Sequence, residues 1–255
     1  PDIPGLKFQV QAIGSSVKSD NAFIYGLPFS NERVIRGEIP VNRRGFAIKG
    51  AMPNPANWLS NRMMEALRDK GFLIFGEAKS TTEFSEGSVE TVLATIQSPR
   101  LSELVKFVLS KSDNLYANIL LKHIGLEQKG TGSYETGAFS VIEFWQAKGF
   151  DVEGWNLVDG SGLSRLNSIS AHQLTKIIGS VTGSTESILE SGLSAVSGNP
   201  SVMAKSGYIG GVRAYCGLLT LSDGRKAYFT IMANHHAGSP TEARVAIQNF
   251  LKALS

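Results

Sequence analysis

Val202-Met203-Ala204-Lys205-Ser206-Gly207-Tyr208-Ile209-Gly210-Gly211, followed by the apolar run from Val212 to Thr220, decides the fold. A lysine, a hydroxyl residue and a glycine open a strand that reads as buried, where an ammonium group is costly unless it has a partner or a task. The chain turns at Ser222-Asp223-Gly224 and returns as Lys226-Ala227-Tyr228-Phe229-Thr230-Ile231-Met232. The pattern predicts an antiparallel hairpin with a Lys-Ser-Gly lip. Ser239-Pro240 then opens a helix that runs to Leu254.

Upstream of the hairpin the periodicity is helical. Ser98-Pro99 reads as an N-cap and a first helical proline, with Leu101, Leu104, Val105 and Val108 on one face. The polar junction Ser110-Lys111-Ser112-Asp113-Asn114 separates it from a second helix carrying Leu115, Ile119, Leu120 and His123 to a stop at Gly125. A third helix spans about Tyr134 to Lys148. After the tight turn Val158-Asp159-Gly160-Ser161-Gly162, Ser170 caps a fourth, Ala171 to Gly179.

Further upstream the pattern is β. Lys7-Phe8-Gln9-Val10-Gln11-Ala12-Ile13 alternates, and short strands are expected at Ala22 to Tyr25, Arg33 to Ile39 and Phe46 to Lys49. Pro53-Asn54-Pro55 opens a helix to about Asp69 with Trp58, Leu59, Met63, Ala66 and Leu67 on one face. Phe72 to Phe75 and Val89 to Ile96 read as strands. The order predicts an α+β chain, an antiparallel sheet flanked by helices, rather than a regular βαβ alternation.

The bulk properties exclude several classes. The 255 residues are 42% hydrophobic with 27 Gly and 9 Pro, which suits a soluble globular protein. The formal charge of +3 and the absence of a Lys/Arg-rich run argue against nucleic acid as a partner. The single Cys216 rules out an internal disulfide and a Cys-based zinc cluster, and no cofactor is expected. There is no G-x-S-x-G elbow. Gly125 to Gly130 has Walker-like spacing, but Thr131 stands where lysine is needed. His235-His236 lacks acidic or Cys partners nearby and reads as surface. Cys216 reads as a small buried hydrophobe, and Trp58 and Trp145 as core.

Ser112-Asp113-Asn114 carries two readings. Ser and Asp are what a helix start wants, so the stretch can be a plain cap. A hydroxyl and a carboxamide on a tight turn can also converge on a cleft. With Lys205-Ser206-Gly207 downstream, the order resembles the penicillin-recognising serine acyl-enzymes, whose motifs are S-x-x-K, S-x-N and K-T/S-G. Asp159-Gly160-Ser161-Gly162-Leu163-Ser164-Arg165-Leu166-Asn167 narrows the resemblance to class C low-molecular-mass penicillin-binding proteins, the D-alanyl-D-alanine carboxypeptidase/endopeptidase family. The stretches SDNLYANILLKHIG and AKSGYIGGVRAYCG agree in hydrophobic spacing, and FSNERVIRGEIP and FAIKGAMPNPANWLSNRMMEALRDKG resemble the end of that family's inserted β domain and the return into the catalytic domain.

The resemblance implies a partial penicillin-binding-protein/β-lactamase-like transpeptidase domain over residues 51–255, with the C-terminal part of an inserted β domain over 1–50. It implies acyl transfer on peptidoglycan stem peptides, β-lactam binding and a periplasmic or otherwise extracytoplasmic location, membrane association included. Ser112, Asn114 and Lys205 take catalytic roles. Ser206, Gly207, the backbone N–H of Tyr208, Arg165 and Ser161 bind substrate. Arg165 either grips a substrate carboxylate or braces its own turn, both suited to a guanidinium.

The nucleophile motif fits least. The only S-x-x-K, Ser15-Ser16-Val17-Lys18, lies in a polar β connection and runs straight into Ser19-Asp20-Asn21. Serine and lysine must sit one helical turn apart, which an extended segment cannot arrange. The expectation is therefore that the nucleophile belongs to an upstream segment of the same protein and that the chain alone is inactive. The alternative is a non-catalytic peptidoglycan-binding protein of the same fold.

Overall fold

The alternating stretch near the N-terminus becomes β1 (Lys7–Ser15), followed by β2 (Asn21–Tyr25) and β3 (Glu32–Pro40). The structure, a computed structural model, describes residues 2–17, 21–81 and 94–254, and it divides into two compact units, residues 1–93 and 94–255. In the first unit β3 is central, parallel to β1 and antiparallel to β2. Register places Phe8, Val10 and Ala12 on one face with Ile35, Ile24 and Ala22. Arg33 is buried here because its Nη1 donates to the carbonyls of Leu27, Ser30 and Glu32 at 3.3, 2.7 and 2.9 Å, closing the 26–32 connection.

Helix α1 (Pro55–Asp69) starts as expected, with Asn54 Oδ1 accepting from the Asn57 N–H at 3.0 Å. No residue of α1 is fully buried, and Trp58 is tied by its indole N–H to the Asp2 carbonyl at 3.0 Å. The strands expected at 46–49 and 72–75 do not form. Apolar content alone suggested them, but neither finds a ladder partner, and Phe72, Leu73 and Phe75 are exposed. Of the strand expected at 89–96, residues 89–93 lie outside the described residues and 94–96 are not extended in a ladder. The sequence boundary fell at 50/51, whereas α1 belongs to the first compact unit.

The second unit begins with α2 (Leu101–Lys111), α3 (Asn114–Lys129) and α4 (Tyr134–Ala147). Arg100, not Ser98, is the N-cap of α2, and its N–H donates to Glu103 Oε2 at 3.2 Å. Gly125 does not stop α3, which runs on to an αL cap at Gly130. It is instead buried where α4 crosses, since a Cβ there would lie 2.6 Å from the Gly137 nitrogen. Helix α5 (Ala171–Gly179) is capped by Ser170 as expected. A helix without a strong apolar stripe, α6 (Gly183–Gly192), then leads into the sheet.

That sheet is antiparallel in the order β4 (Ser194–Val196), β5 (Asn199–Ile209), β6 (Val212–Thr220), β7 (Lys226–Asn234), and α7 (Pro240–Ala253) closes the chain. Register sorts its faces. Val202, Ala204, Tyr215, Leu219 and Phe229 face α7 and pack with Ile247 and Leu251. Val202 and Leu251 are 1% exposed, and burying each contributes about 1.5–3 kcal/mol. Lys205, Gly207, Ala214, Cys216 and Met232 leave by the other face, on which α5 packs. From Ala214 to Leu219 the run carries no charged residue, because β6 is central and covered on both sides, while Arg213 falls at its start. No described helix is long and apolar enough to cross a membrane.

Candidate active site

Two residues separate α2 from α3, Ser112 and Asp113, and Ser112 is the C-cap of the first helix. Its backbone is left-handed, φ 56° and ψ 46°, as a helix C-cap that is not glycine. Asp113 caps α3, its Oδ1 accepting from the Tyr116 N–H at 2.9 Å. The plain-cap reading of this turn holds at Asp113, which also lines a cleft beside its neighbours. Asp113 serves the helix, and Ser112 and Asn114 face the same cleft, of about 910 Å³. A left-handed serine costs roughly 1–2 kcal/mol, and here it aims a hydroxyl across that cleft.

Opposite stands Lys205 on β5. Its Nζ donates to Ser112 Oγ at 2.7 Å and to the Ser206 carbonyl at 2.9 Å. The out-of-place ammonium thus has partners from both walls. Burial holds the Lys205 amine below its ordinary value, since desolvation disfavours the charged form. Strand β4 pairs with β5 only as far as Ala204. From Lys205 to Ile209 the outer edge of β5 is open, and Ser206, Gly207 and Tyr208 all line the cleft there and are exposed.

The third wall is the loop that follows Val158. Asp159 Oδ1 accepts from Gly162 N (2.6 Å), Asn167 Nδ2 (3.1 Å) and Ser161 Oγ (3.2 Å), and Oδ2 accepts from Ser164 N (2.7 Å). Partial burial pushes the carboxyl up, but these bonds outweigh it and hold Asp159 below its ordinary value. Asn118 Oδ1 ties the same loop to α3 by accepting from Gly160 and Ser161 N–H, both at 3.0 Å. Bracing is therefore done by Asp159, Asn167 and Asn118. Arg165 is exposed, carries no hydrogen bond or ion pair among the described residues, and reaches the hairpin tip, where a Cβ on Gly210 would lie 2.9 Å from its Nη2.

Every predicted site residue lines this one cleft: Ser112, Asn114, Ser161, Arg165, Lys205, Ser206, Gly207 and Tyr208. Sequence reasoning missed Asn118 as a loop anchor; its signal was the i,i+4 spacing to Asn114 on one helix face. It also missed His235, which lines the cleft with φ 49° while its N–H donates to Gly211 at 2.7 Å. His236 is no plain surface residue, since both ring nitrogens are enclosed without a partner among the described residues. Cys216 is half-buried, accepting from Thr230 Oγ1 at 3.3 Å, and burial pushes its thiol up. Ser15 lies at the end of β1 and donates to Glu38 Oε2 at 3.2 Å; Lys18, Ser19 and Asp20 lie outside the described residues. Among the described residues no group of His, Cys, Asp or Glu could hold a metal ion.

A helix junction bearing Ser-x-Asn, bonded to the lysine of a Lys-Ser-Gly strand at the open edge of an antiparallel sheet, defines a penicillin-recognising serine acyl-enzyme fold. The crystal structure of penicillin binding protein 4 from Haemophilus influenzae, complexed with a β-lactam, superposes with TM-score 0.79 at 21% identity, covering 98% of this chain and 62% of that one. The chain belongs to the D-Ala-D-Ala carboxypeptidase 3 (S13) family, whose sequence model matches residues 1–254. It is 27% identical over 259 residues to a D-alanyl-D-alanine carboxypeptidase from an Actinomadura species, covering 94% of this chain and 47% of that protein. It is 23% identical over 232 residues to the D-alanyl-D-alanine carboxypeptidase DacB of Haemophilus influenzae, covering 84% of this chain and 48% of the relative. The chain thus spans about half the length of these curated relatives.

Proposed function

We propose that this chain supplies the substrate-binding walls of a serine-type D-Ala-D-Ala carboxypeptidase/endopeptidase acting on peptidoglycan stem peptides, and that β-lactams occupy the same cleft. The contact between Lys205 Nζ and Ser112 Oγ carries the reading. In the reaction a serine hydroxyl attacks the carbonyl of the penultimate D-Ala, an ester forms, and the terminal D-Ala leaves with the proton. Water then hydrolyses the ester.

Ser112 shuttles that proton, and its hydrogen-bonded lysine provides the positive field that keeps neighbouring hydroxyls reactive and draws in the terminal carboxylate. Asn114 holds the substrate amide. Ser206 bonds the carboxylate, and Gly207, without a Cβ, lets the substrate backbone add to the open edge of β5. The Tyr208 N–H is one half of the oxyanion hole. Ser161 borders the substrate side chain, and Arg165, free of the bracing work done by Asp159, grips its free carboxylate. Such a substrate implies an extracytoplasmic site of action.

The nucleophile and its base come from a helix bearing S-x-x-K, on the same polypeptide or another. Val108, Val141, Trp145, Ile177, Ala214 and Met232 line the far end of the cleft as an apolar seat for it. A second reading, a non-catalytic peptidoglycan-binding protein, draws on the position of the only S-x-x-K, which begins on a strand at Ser15.

Incubating the chain with a labelled penicillin tests the reading by intact mass and by amide shifts. Reversible shifts along Lys205–Tyr208, lost in Lys205→Ala, with no covalent adduct, are expected. Absence of binding sinks the cleft assignment. An adduct on Ser15 overturns the separate-helix reading, and one on Ser112 replaces it with a Ser112–Lys205 dyad.

A further inference from the structure

A second concavity lies outside the cleft, on the far side of α5. It is a groove of about 550 Å³ between the segment after α4 and the outer face of α5, with Tyr228 of β7 at its base. It shares no residue with the active-site cleft. Its walls are joined rigidly. Gln173, 7% exposed, donates from Nε2 to the carbonyls of Asp151 and Glu153 at 3.1 and 3.0 Å, while its Oε1 accepts from the Ser170 N–H at 2.9 Å. Tyr228 is fixed as well, its hydroxyl donating to Glu186 at 3.0 Å and its ring packed against Gly179. A groove built this way needs little ordering on binding.

The groove's cations lack carboxylate partners, although the Lys148 Nζ also lies over the Phe144 ring, 5.0 Å from its centroid. Lys148 and Lys176 enter it from opposite walls, with His172 one turn before Lys176 on the same helix face. None of these three has an ion-pair partner among the described residues. Asp151 is the groove's one carboxylate, and only its Oδ1 is engaged, accepting from the Glu153 N–H at 2.9 Å. Two ammonium groups against one carboxylate leave a net single positive charge at neutral pH. The aromatic floor of Tyr228 offers an apolar face, and the free carboxylate oxygen accepts from hydroxyl groups.

We infer that this groove binds an acidic saccharide. The sugar's carboxylate bridges Lys148 and Lys176, its ring lies on Tyr228, and its hydroxyls donate to Asp151. A bare anion would use the lysines but leave the floor and Asp151 idle, and a neutral sugar would leave both lysines unpaired. Since none of these groups touches the cleft, the inference stands independently of the acyl-transfer reading.

The test is amide chemical-shift titration of the whole chain with glucuronate, glucose and inorganic phosphate in parallel. Glucuronate is expected to shift the amides of Lys148 to Asp151 and His172 to Lys176, and glucose at the same concentration to leave them in place. The double variant Lys148→Gln/Lys176→Gln is expected to weaken glucuronate at least tenfold with an unchanged melting temperature, because both side chains are exposed. Tyr228→Leu is expected to weaken glucuronate while leaving any phosphate response unaltered. The inference is overturned if glucuronate shifts other residues only, if the double variant binds as well as the parent, or if phosphate matches glucuronate at these amides.

Discussion

Lys205 shows how a single residue can be both a stability cost and the centre of a site. Its amine is held below the ordinary value of 10.5 by burial. The charged form is therefore disfavoured in the fold. That penalty is complete at neutral pH and fades as pH rises from the depressed folded value to the unfolded one, because the unfolded chain then holds the extra proton. Lys205→Met is accordingly expected to melt higher than the parent at pH 7, with the gap narrowing toward pH 10. Thermal melts at both pH values check this, and a gap that widens in alkali contradicts it. The pairing of Lys205 with Ser112 was legible in the sequence because two motifs of fixed composition carry it. The left-handed turn at Ser112 was not, since serine there follows no local preference and is imposed by the two-residue junction between helices.

At the scale of elements, the loop from Asp159 to Asn167 is the part of the site most dependent on its own hydrogen bonds. Asp159 accepts four of them, and its carboxyl sits below the ordinary 3.8. A carboxylate lowered in the fold contributes stability above its unfolded value and loses it as pH falls through the folded one. Asp159→Ala is expected to cost about 2 kcal/mol at pH 7, with the difference from the parent shrinking below pH 3.8. Denaturant melts at pH 7 and in acid decide it, and an equal cost at both would assign the effect to packing instead. The loop's turn residues were readable as punctuation, but Asn118, which anchors it from α3, looks like any polar position on a helix. Helix α6 escaped notice for a related reason: Gly183-Ser184-Thr185-Glu186-Ser187 has little apolar periodicity, and contact with α2, where Leu109 meets Gly192, holds it. Phe72–Phe75 is the converse case, a stretch with the apolar content of a strand but no neighbouring strand to supply a ladder.

Over the whole molecule, apolar burial is unevenly shared. Among the described residues the first unit buries only two small apolar side chains, Ala22 and Pro53, while Phe8, Val10, Phe23 and Tyr25 on its strands stay more than half exposed. The second unit holds the remaining buried hydrophobics, from Leu121 through Val202 and Tyr215 to Leu251. Local opening free energy follows buried apolar contact, so β1 to β3 should open far more readily than β5 and β6. Native-state hydrogen exchange is expected to show the protected amides of the first sheet exchanging on the order of 100-fold faster than those around Val202 and Leu219, a difference of ~3 kcal/mol. Equal protection in the two sheets would mean that the chain opens as one cooperative body. The unequal outcome has a functional corollary. The rigid floor under Lys205 belongs to the sheet clamped by α7, so the geometry of the Lys205–Ser112 contact should persist while β1 to β3 open, and ligand shifts along Lys205–Tyr208 should survive conditions that already melt the first sheet.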